Sequence, residues 1–419
     1  DERWLIFKDE LGIADALISH LVASTSQGTQ TSKAKAPSIT TIETGQQFES
    51  SFEKAAAGSF KIDPDNLDHF ERLFEEVFES DKAPQHIVYM WPTSSSTTIT
   101  KSLNALEQQI APCFWGLFNL SKLLGELDEP ITLSVVSTDM HAIGGQASQP
   151  EKAMLAGPVS VIPHEFIHVK TKSIDFHPDE AQTQHIEKFS KQLLNELHAD
   201  TSNRFVAYRG RERWIREVEP GTIPSYEDSA DNAWLKPNST VLISGGLGGI
   251  GLNVANNLAK QGAKHLILLS RSGLPDKALW QDNTFQATQS VAIRDKINKV
   301  LEIESFGVEV TITKADISNL ESMQTALTNV HEKVGYIHGI IHAAGSMDDQ
   351  LIMLKSRESA EAVINAKVRG ALILDALFVD HSLDFFVLFS SVASFVGLPG
   401  QIDYTAANAF LDAFARARA

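Results

Sequence analysis

The segment VLISGGLGGIGLNVANNLAKQG, from Val241 to Gly262, constrains the fold of this chain more than any other. It predicts a buried strand, a glycine-rich turn and an amphipathic helix in direct succession. Such a turn lets backbone amides and a helix N-terminus approach a pyrophosphate, and the flanking strand and helix distinguish it from a glycine-rich turn without a ligand. The residues predicted to contact a cofactor here are Gly245, Gly246, Leu247, Gly248, Gly249, Ile250 and Gly251.

The second half of the chain alternates short apolar runs with helical patterns. Strands are predicted at Thr240 to Ser244, His265 to Ser270, Val308 to Thr313, His338 to His342 and Leu383 to Ser390. Strands that alternate with helices of this length form a doubly wound parallel sheet, which binds ligands beyond the carboxyl ends of its strands. The segment from Gly273 to Glu304 is long for one connection and is expected to add helix.

The first half has the same rhythm without a cluster of glycines. Strands are predicted at Trp4 to Phe7, His86 to Trp91 and Ile131 to Thr138, and a strand pair in NRFVAYRGRERWIREVEP. A polar stretch from Pro224 to Pro237 is interpreted as a linker. The expected fold class is therefore α/β with two Rossmann-like subdomains. Residues 1–230 form a truncated structural one, and residues 231–419 form a catalytic doubly wound parallel sheet.

Composition excludes several classes of function. The 419 residues carry 36 Lys and Arg against 53 Asp and Glu, a formal charge of -17, which argues against a nucleic-acid partner. Cys113 is the single cysteine, so neither a disulfide framework nor a multi-cysteine metal site is expected, and no metal is predicted. No signal peptide or membrane span is evident, so a cytoplasmic protein without a membrane partner is expected. The first residue, Asp1, is expected of a domain excised from a longer protein.

The second predicted strand ends in Ser270 and Arg271, where an NAD enzyme usually has an acid. An arginine there pairs with the 2′-phosphate of NADP, which favours NADPH over NADH, although a solvated loop arginine is the alternative. After the third strand, Asp316 suits a hydrogen bond to the adenine amino group or, equally, a helix N-cap. The cofactor is also expected to contact Ile317, Ala343, Ala344 and Gly345.

The segment FSSVASFVGLPGQIDYTAAN combines a serine and a tyrosine in the manner of short-chain dehydrogenases. Those enzymes have a lysine four residues after the tyrosine, yet Asn408 occupies that position after Tyr404. A tyrosine acts as proton donor only if a cation stabilises its phenolate, because a free phenol has a pKa of about 10. The predicted source of that charge is Lys367, in the helical pattern between the fourth and fifth strands.

These motifs resemble the ketoreductase domain of modular polyketide synthases, in which the lysine and asparagine positions are exchanged. The resemblance rests on GGLGGIG, HAAG, NAKVRGALILD, FSSVAS and YTAANAFLDA, in order over most of residues 240–419. The first half resembles the structural subdomain of the family more loosely. The resemblance implies that Ser391 hydrogen-bonds the substrate carbonyl, Tyr404 protonates it, Lys367 lowers the pKa of the tyrosine and Asn408 orients the lysine or a relay water.

The same resemblance implies a stereochemical class. Met347, Asp348 and Asp349 stand where the B-type shows Leu-Asp-Asp, and Val396 stands where the A-type shows tryptophan. The expected product has a D-hydroxyl, and Ala406, where the epimerising subclass has proline, argues against epimerisation. Taken without the resemblance, the two aspartates read equally well as a polar loop.

The predicted function is thus NADPH-dependent reduction of a β-keto group carried by an acyl carrier protein, within a synthase with neighbouring domains. The alternatives are a non-catalytic structural module and a free-standing dehydrogenase for small alcohols. The basic run Arg209, Arg211 and Arg213 is interpreted as the solvent face of a strand, with attraction of an acidic carrier as the alternative. The last strands and lid expected of the family are not found before Ala419.

Overall fold

The computed structural model describes residues 2–26, 36–53, 57–78, 83–95, 103–146, 148–181, 185–199, 202–221 and 235–419. The chain forms two compact units. The first unit comprises Asp1–Val218, Asp348–Ala360 and Ser391–Ala419, and the second comprises Glu219–Met347 and Glu361–Ser390. The two predicted domains, residues 1–230 and 231–419, are each one continuous stretch of the chain. The observed units instead consist of three and two separate stretches. Most of the predicted linker lies outside the described residues.

The first unit contains a sheet of nine strands in the order β3-β4-β2-β1-β5-β6-β7-β8-β9. Its strands are β1 (Arg3–Phe7), β2 (Ser38–Thr44), β3 (Glu49–Glu53), β4 (Ala57–Ile62), β5 (His86–Tyr89), β6 (Ile131–Thr138), β7 (Val169–Phe176), β8 (Phe205–Arg209) and β9 (Glu212–Ile215). The pairs β3–β4 and β8–β9 are antiparallel and the others parallel. The α/β class is confirmed, but this sheet is not truncated, because the polar segment after α1 (Ile13–Ser26) adds three strands at one edge.

The second unit contains a parallel sheet of five strands in the order β12-β11-β10-β13-β14, the doubly wound arrangement predicted. The strands are β10 (Thr240–Ser244), β11 (His265–Ser270), β12 (Glu309–Lys314), β13 (Gly339–His342) and β14 (Phe385–Leu388). Apolar side chains of β10 and β11, among them Val241, Ile243, Leu266 and Leu268, are fully buried. The continuous apolar runs in the sequence reflect strands covered on both faces.

Helices connect the strands. From the N-terminus they are α1, α2 (Leu67–Phe78), α3 (Leu103–Ile110), α4 (Gly116–Leu124), α5 (Pro150–Ala153), α6 (Ala156–Glu165), α7 (Ile186–His198), α8 (Gly249–Lys260), α9 (Asn283–Thr288), α10 (Val291–Glu304), α11 (Leu320–Val334), α12 (Arg357–Ile364), α13 (Gly370–Leu377), α14 (Ala393–Val396) and α15 (Ile402–Arg418). Two π-helical turns, Ala111–Trp115 and Asn365–Arg369, precede α4 and α13. The extra helix expected between Gly273 and Glu304 is confirmed as α9 and α10. Among the described residues, no helix is both long and apolar enough to cross a membrane.

In the basic run near β8 and β9, Arg211 and Arg213 are exposed, as expected of the solvent face of a strand, whereas Arg209 is half-buried. Arg209 pairs with the buried Asp175 at 3.0 Å, and Arg213 pairs with the buried Glu196 at 2.8 Å. Burial alone would raise the pKa of Glu196, but hydrogen bonds from Arg213, Tyr208 and Lys172 lower it to about 2. Two of the three arginines therefore neutralise carboxylates inside the first unit, a pairing between distant segments that local sequence does not show.

Helix α15 packs against α6 in the first unit through a glycine. A Cβ added to Gly157 would lie 2.3 Å from the carbonyl oxygen of Ile402 and 2.7 Å from the Cβ of Ala406. Both neighbours are rigid, one being backbone and the other the first atom of a side chain. The approach of these two helices therefore depends on the absence of a side chain at residue 157.

We expect Gly157→Ala to lower the free energy of unfolding by about 1–3 kcal/mol, because backbone or Cβ atoms must shift to admit the methyl group. Urea denaturation monitored by circular dichroism measures the change. Gly221→Ala is the control, since a Cβ there meets no atom within 4 Å. Equal stability of the two variants would contradict the packing argument.

Candidate active site

The glycine-rich turn between β10 and α8 is built from three close approaches. Gly245 has a φ of +70°, and a Cβ on it would lie 2.8 Å from the backbone of Ala344. A Cβ on Gly246 would lie 2.8 Å from the Cα of Leu268, and one on Gly251 would lie 2.3 Å from the carbonyl oxygen of Gly245. These glycines are required by the protein itself, which explains their spacing in the sequence.

Gly249 differs from those three, because a Cβ on it would meet no protein atom within 4 Å. Gly248, Gly249 and Ile250 are exposed. Gly248 is the N-cap of α8, and no described side chain caps this end of the helix. The first amides of α8 therefore remain available to an anion, as a dinucleotide pyrophosphate requires.

In the first unit, the equivalent position is the start of α1 after β1, and a side chain of the unit itself binds the amides there. The carboxylate of Asp9, at the end of β1, accepts hydrogen bonds from the amides of Leu11, Ile13 and Ala14 at 2.9, 3.0 and 2.7 Å. This buried carboxylate occupies the N-terminus of α1. The first unit thus keeps the strand-to-helix geometry but holds its own anion there, consistent with the predicted structural role of this half.

Arg271 and Asp316 follow neighbouring strands of the second sheet. The side chain of Asp316 accepts hydrogen bonds from the amide and hydroxyl of Ser318 at 2.9 and 2.7 Å. Burial alone would raise the pKa of Asp316, but these hydrogen bonds and the charge of Arg271 lower it. The alternative of Asp316 as a helix N-cap is wrong, because Asn319 caps α11 through the amide of Ser322.

The remaining predicted cofactor residues lie near these positions in the chain. The hydroxyl of Ser270 accepts a hydrogen bond from the amide of Gly273 at 3.0 Å. Ile317 is buried, and its side chain lies 2.9 Å from the position of a Cβ on Gly370. Ala343, Ala344 and Gly345 directly follow β13 without regular secondary structure; the two alanines are half-buried and Gly345 is exposed.

Lys367 lies on the π-helical turn between α12 and α13 and is 5% exposed. Its ammonium donates a hydrogen bond to the carbonyl oxygen of Phe389 at 3.0 Å. A Cβ on Gly345 would lie 3.2 Å from the Cε of Lys367, so the glycine leaves space for the lysine stem. π-Helical turns occur frequently at functional sites, where an extra residue redirects a side chain.

His342 connects β10 to this turn. Its Nε2 lies 3.0 Å from the carbonyl oxygen of Lys367, and its Nδ1 lies 2.6 Å from the hydroxyl of Ser244. A neutral ring that donates from Nε2 accepts the Ser244 proton at Nδ1, which satisfies both contacts. Burial lowers the pKa of His342 to about 4. The ring is therefore a packed structural group at the end of β13, and it fixes the backbone of Lys367.

Ser391 and Ser394 differ in their surroundings. Ser391 is partly exposed, and its hydroxyl oxygen accepts the amide of Ala393 at 3.2 Å. Ser394 is buried, and its hydroxyl contacts the carboxylate of Asp412 at 2.6 Å. Ser391 is thus the more accessible hydroxyl.

The first half of the chain also contacts the segment that follows Ser391. The guanidinium of Arg216 stacks on Phe395 at 4.4 Å from the ring centroid and donates to its carbonyl oxygen at 3.1 Å. A cavity of about 360 Å³ next to Phe395 contains none of the predicted site residues. The contacts of Arg216 therefore support the segment that carries the predicted serine.

Tyr404 and Asn408 lie one turn apart on α15. Tyr404 is partly exposed and Asn408 is fully buried. The side-chain amide of Asn408 donates to the carbonyl oxygen of Tyr404 at 2.7 Å. Because the two residues are four positions apart, the Asn408 side chain reaches the backbone of Tyr404 within the helix.

The residues predicted to control stereochemistry are exposed. Met347 is 71% exposed and Val396 is 43% exposed. The carboxylate of Asp348 accepts hydrogen bonds from Gln350 and Ser359, which lower its pKa, and that of Asp349 accepts the side-chain amide of Gln401. The two aspartates therefore form an ordered polar segment.

Three charged residues that contact the segments carrying Asp348 and Tyr404 were not identified from the sequence. Lys355 and Asp403 form an ion pair in which both side chains are 1% exposed, and Glu165 at the end of α6 accepts the amides of Ile352 and Gly400. The only signal for them is a charge within an otherwise apolar pattern, as in LIMLKS and GQIDY. Their partners are far away in the chain, so spacing alone does not identify them.

Solved ketoreductases share this fold over the whole chain. The N-terminal ketoreductase from the macrolactin assembly line has a TM-score of 0.77 and 23% identity, covering 100% of this chain and 76% of that one. The first ketoreductase of the tylosin polyketide synthase has a TM-score of 0.69 and 24% identity, covering 99% and 76%. At such identities the likeness establishes the fold alone, which is the two-sheet α/β fold of polyketide-synthase ketoreductases.

Two parts of the chain match models of known protein families. Residues 239–419 match the family model described as KR domain, in agreement with the resemblance predicted for this part of the chain. Residues 19–193 match the model described as β-ketoacyl synthase-like, N-terminal. This second description differs from the predicted structural subdomain, although the structural likeness extends over both halves.

Curated relatives are large synthases. The 6-methylsalicylic acid synthase of Aspergillus terreus is 41% identical over 184 residues, which are 44% of this chain and 10% of that protein. The 5-methyl-1-naphthoate synthase of Streptomyces sahachiroi is 36% identical over 183 residues, with the same coverage of 44% and 10%. The chain thus spans about 10% of the length of the curated relatives it matches.

The burial of neutral His342 predicts a pH dependence of stability. Its pKa is about 4 in the folded protein against 6.5 for the free side chain, so the unfolded chain binds a proton that the folded chain does not. The contribution of neutral His342 to the free energy of unfolding is then fully present above pH 6.5. It is lost as the pH falls towards 4, by about 3 kcal/mol in total.

We expect His342→Gln to remove this component, which urea titrations between pH 7.5 and roughly 4.5 measure because that range spans most of the shift. The exposed His164, replaced by glutamine, serves as the control. Parallel pH profiles of the native chain and the His342 variant would contradict the assignment.

Proposed function

We propose that this chain reduces the β-keto group of an acyl chain carried by an acyl carrier protein to a β-hydroxyacyl thioester, with NADPH as reductant. The observation that carries the proposal is the exchange of lysine and asparagine. Lys367 is buried on the π-helical turn before α13, and Asn408 contacts Tyr404 on α15. The match of residues 239–419 to the KR domain supports the same conclusion.

In the proposed mechanism, Ser391 donates a hydrogen bond to the β-carbonyl oxygen and Tyr404 transfers a proton to that oxygen. The phenolate left on Tyr404 needs a nearby cation, and Lys367 supplies the charge. His342 and Phe389 hold the backbone and ammonium of Lys367, while Asn408 orients the lysine or a relay water. The dinucleotide, held at the start of α8 and by Arg271, would supply the hydride.

The uncapped start of α8 would hold the pyrophosphate of the cofactor, and Arg271 would pair with the 2′-phosphate of NADPH. Arg271 is exposed, and it is close enough to Asp316 to lower the pKa of that carboxyl. An NADH-binding protein places an acid where this chain has Arg271, so NADPH is the proposed cofactor. Asp316 would then face the adenine.

The proposed partners are an acyl carrier protein that presents the substrate as a thioester and the neighbouring domains of a synthase. The relatives named above are synthases about ten times the length of the matched segment, since that segment is 10% of each of them. This relation supports a catalytic region that acts on a substrate delivered by another part of the same assembly.

We expect NADPH oxidation with a short β-ketoacyl thioester, with a slower rate for NADH. Tyr404→Phe should lower kcat by at least about 100-fold, because it removes the proton donor, and Lys367→Met should lower it by a similar factor. Ser394→Ala is the control and should retain most activity. Turnover unchanged in the Tyr404 variant would overturn the mechanism, and failure to bind NADPH would favour a structural module.

The proposed stereochemical outcome is a D-configured hydroxyl without epimerisation, from the Met347-Asp348-Asp349 segment and from Val396 in place of tryptophan. Chiral chromatography of the reduced thioester measures the outcome. A product that is mainly the L-hydroxyl would refute the B-type assignment while leaving the reductase function intact.

A further inference from the structure

A buried ion pair joins the polar segment after Met347 to the start of α15 within the first unit. The ammonium of Lys355 lies 2.9 and 2.8 Å from the two carboxylate oxygens of Asp403, and both side chains are 1% exposed. The ammonium also donates to the carbonyl oxygen of Asp348 at 2.5 Å. An ammonium has three donors, so these contacts use its full capacity.

Asp403 directly precedes the proposed proton donor. Its carboxylate accepts the amide of Tyr404 at 2.9 Å, in the first turn of α15. Burial raises the pKa of Asp403, and hydrogen bonds from Lys355 oppose that change. Lys355 therefore connects the backbone of Asp348 to the residue whose carboxylate holds the start of the tyrosine helix.

Residues from the first half of the chain hold the same two segments. The carboxylate of Glu165 accepts the amide of Ile352 at 2.7 Å through one oxygen and the amide of Gly400 at 2.8 Å through the other. Lys122 donates to the carbonyl oxygens of Ile352 and Lys355 at 3.2 and 2.7 Å. Glu165 thus bridges the segment after Asp349 to the turn before α15. These four side chains, Lys122, Glu165, Lys355 and Asp403, are called the clasp.

Stability alone does not account for a buried ion pair of this kind. Replacing such a pair with apolar side chains of similar volume is often neutral or stabilising, because desolvation offsets the attraction. A lysine whose ammonium is bound to three fixed acceptor atoms does, however, specify one arrangement of the chain segments that meet at it. The clasp joins the aspartates proposed to select the product configuration to the helix proposed to deliver the proton.

We propose that Lys355 is a positioning residue: the clasp fixes the Asp348–Asp349 segment relative to Tyr404 and thereby determines which face of the β-carbonyl is reduced. This inference rests on the proposed reductase function. It also gives the first half of the chain a direct part in selectivity, because Glu165 and Lys122 come from helices of that half. Loss of the clasp then affects the product ratio more than it affects cofactor binding.

The test compares Lys355→Met with Lys172→Met in the intact protein. Lys172 is a matched control, since it pairs with the buried Glu196 at 3.1 Å in the same unit and contacts none of the proposed catalytic residues. Chiral chromatography should show at least a 10-fold rise in the ratio of minor to major hydroxyl isomer for Lys355→Met and no change for Lys172→Met. NADPH affinity should stay the same in both.

Lys355→Met/Asp403→Leu replaces the pair by apolar side chains and serves if the single variant does not fold. It should show the same altered isomer ratio, since it also lacks the connection to Asp348. A folded variant with the native isomer ratio would overturn the proposal.

A readout without turnover separates this proposal from the reductase function. Hydrogen exchange of the amides of residues 348–352 should be at least 10-fold faster in the Lys355 variants than in Lys172→Met or the native protein. Absence of turnover in the native protein, with NADPH bound, would overturn the function and the stereochemical role together. Turnover with unchanged exchange and unchanged isomer ratio would overturn the positioning role alone.

Discussion

The close approach of α6 and α15 is the packing constraint on which the first unit depends. It places the helix of Tyr404 against a helix from the first half of the chain, with Gly157 facing Ile402 and Ala406. Because the contact is backbone against backbone, its geometry leaves little freedom. Glu165, at the C-terminal end of the same α6, is thereby brought to the amides of Ile352 and Gly400. The first half of the chain is in this way part of the support of the proposed proton donor.

Both units have a strand followed by a helix, but the N-termini of the two helices have different surroundings. At the start of α1 the amides are taken by Asp9, a neighbour in sequence, so the chain supplies its own anion. At the start of α8 the cap is Gly248, which has no side chain to offer, and Gly249 faces open space. The start of α1 and the proposed cofactor site at α8 thus differ by one carboxylate at a helix N-terminus.

Local patterns were enough to predict the strands and the glycine-rich turn, because both are recorded in adjacent residues. The observed strands of the second sheet fall within two residues of the predicted bounds, and β10 and β11 coincide with them. The cap of α11 was missed because Asp316 and Asn319 are equally suited by residue type, and only the turn that Ser318 makes with Asp316 decides between them. The ion pairs of Arg209, Lys355 and Glu196 were missed because their partners lie far apart in sequence.

The two π-helical turns are a second feature that the two units share. Each follows a β-strand whose last side chain bonds to a carbonyl of the turn: Tyr89 to Pro112 in the first unit and His342 to Lys367 in the second. Each is followed by a glycine, Gly116 or Gly370, that packs against that same side chain. The third residue of the turn is Cys113 in one unit and Lys367 in the other.

Burial raises the pKa of Cys113 to about 12, so the thiol remains protonated and unreactive, whereas Lys367 carries an ammonium bound to Phe389. The turn is thus a shared element of the architecture, and its third position carries a buried thiol in the first unit and the proposed catalytic lysine in the second.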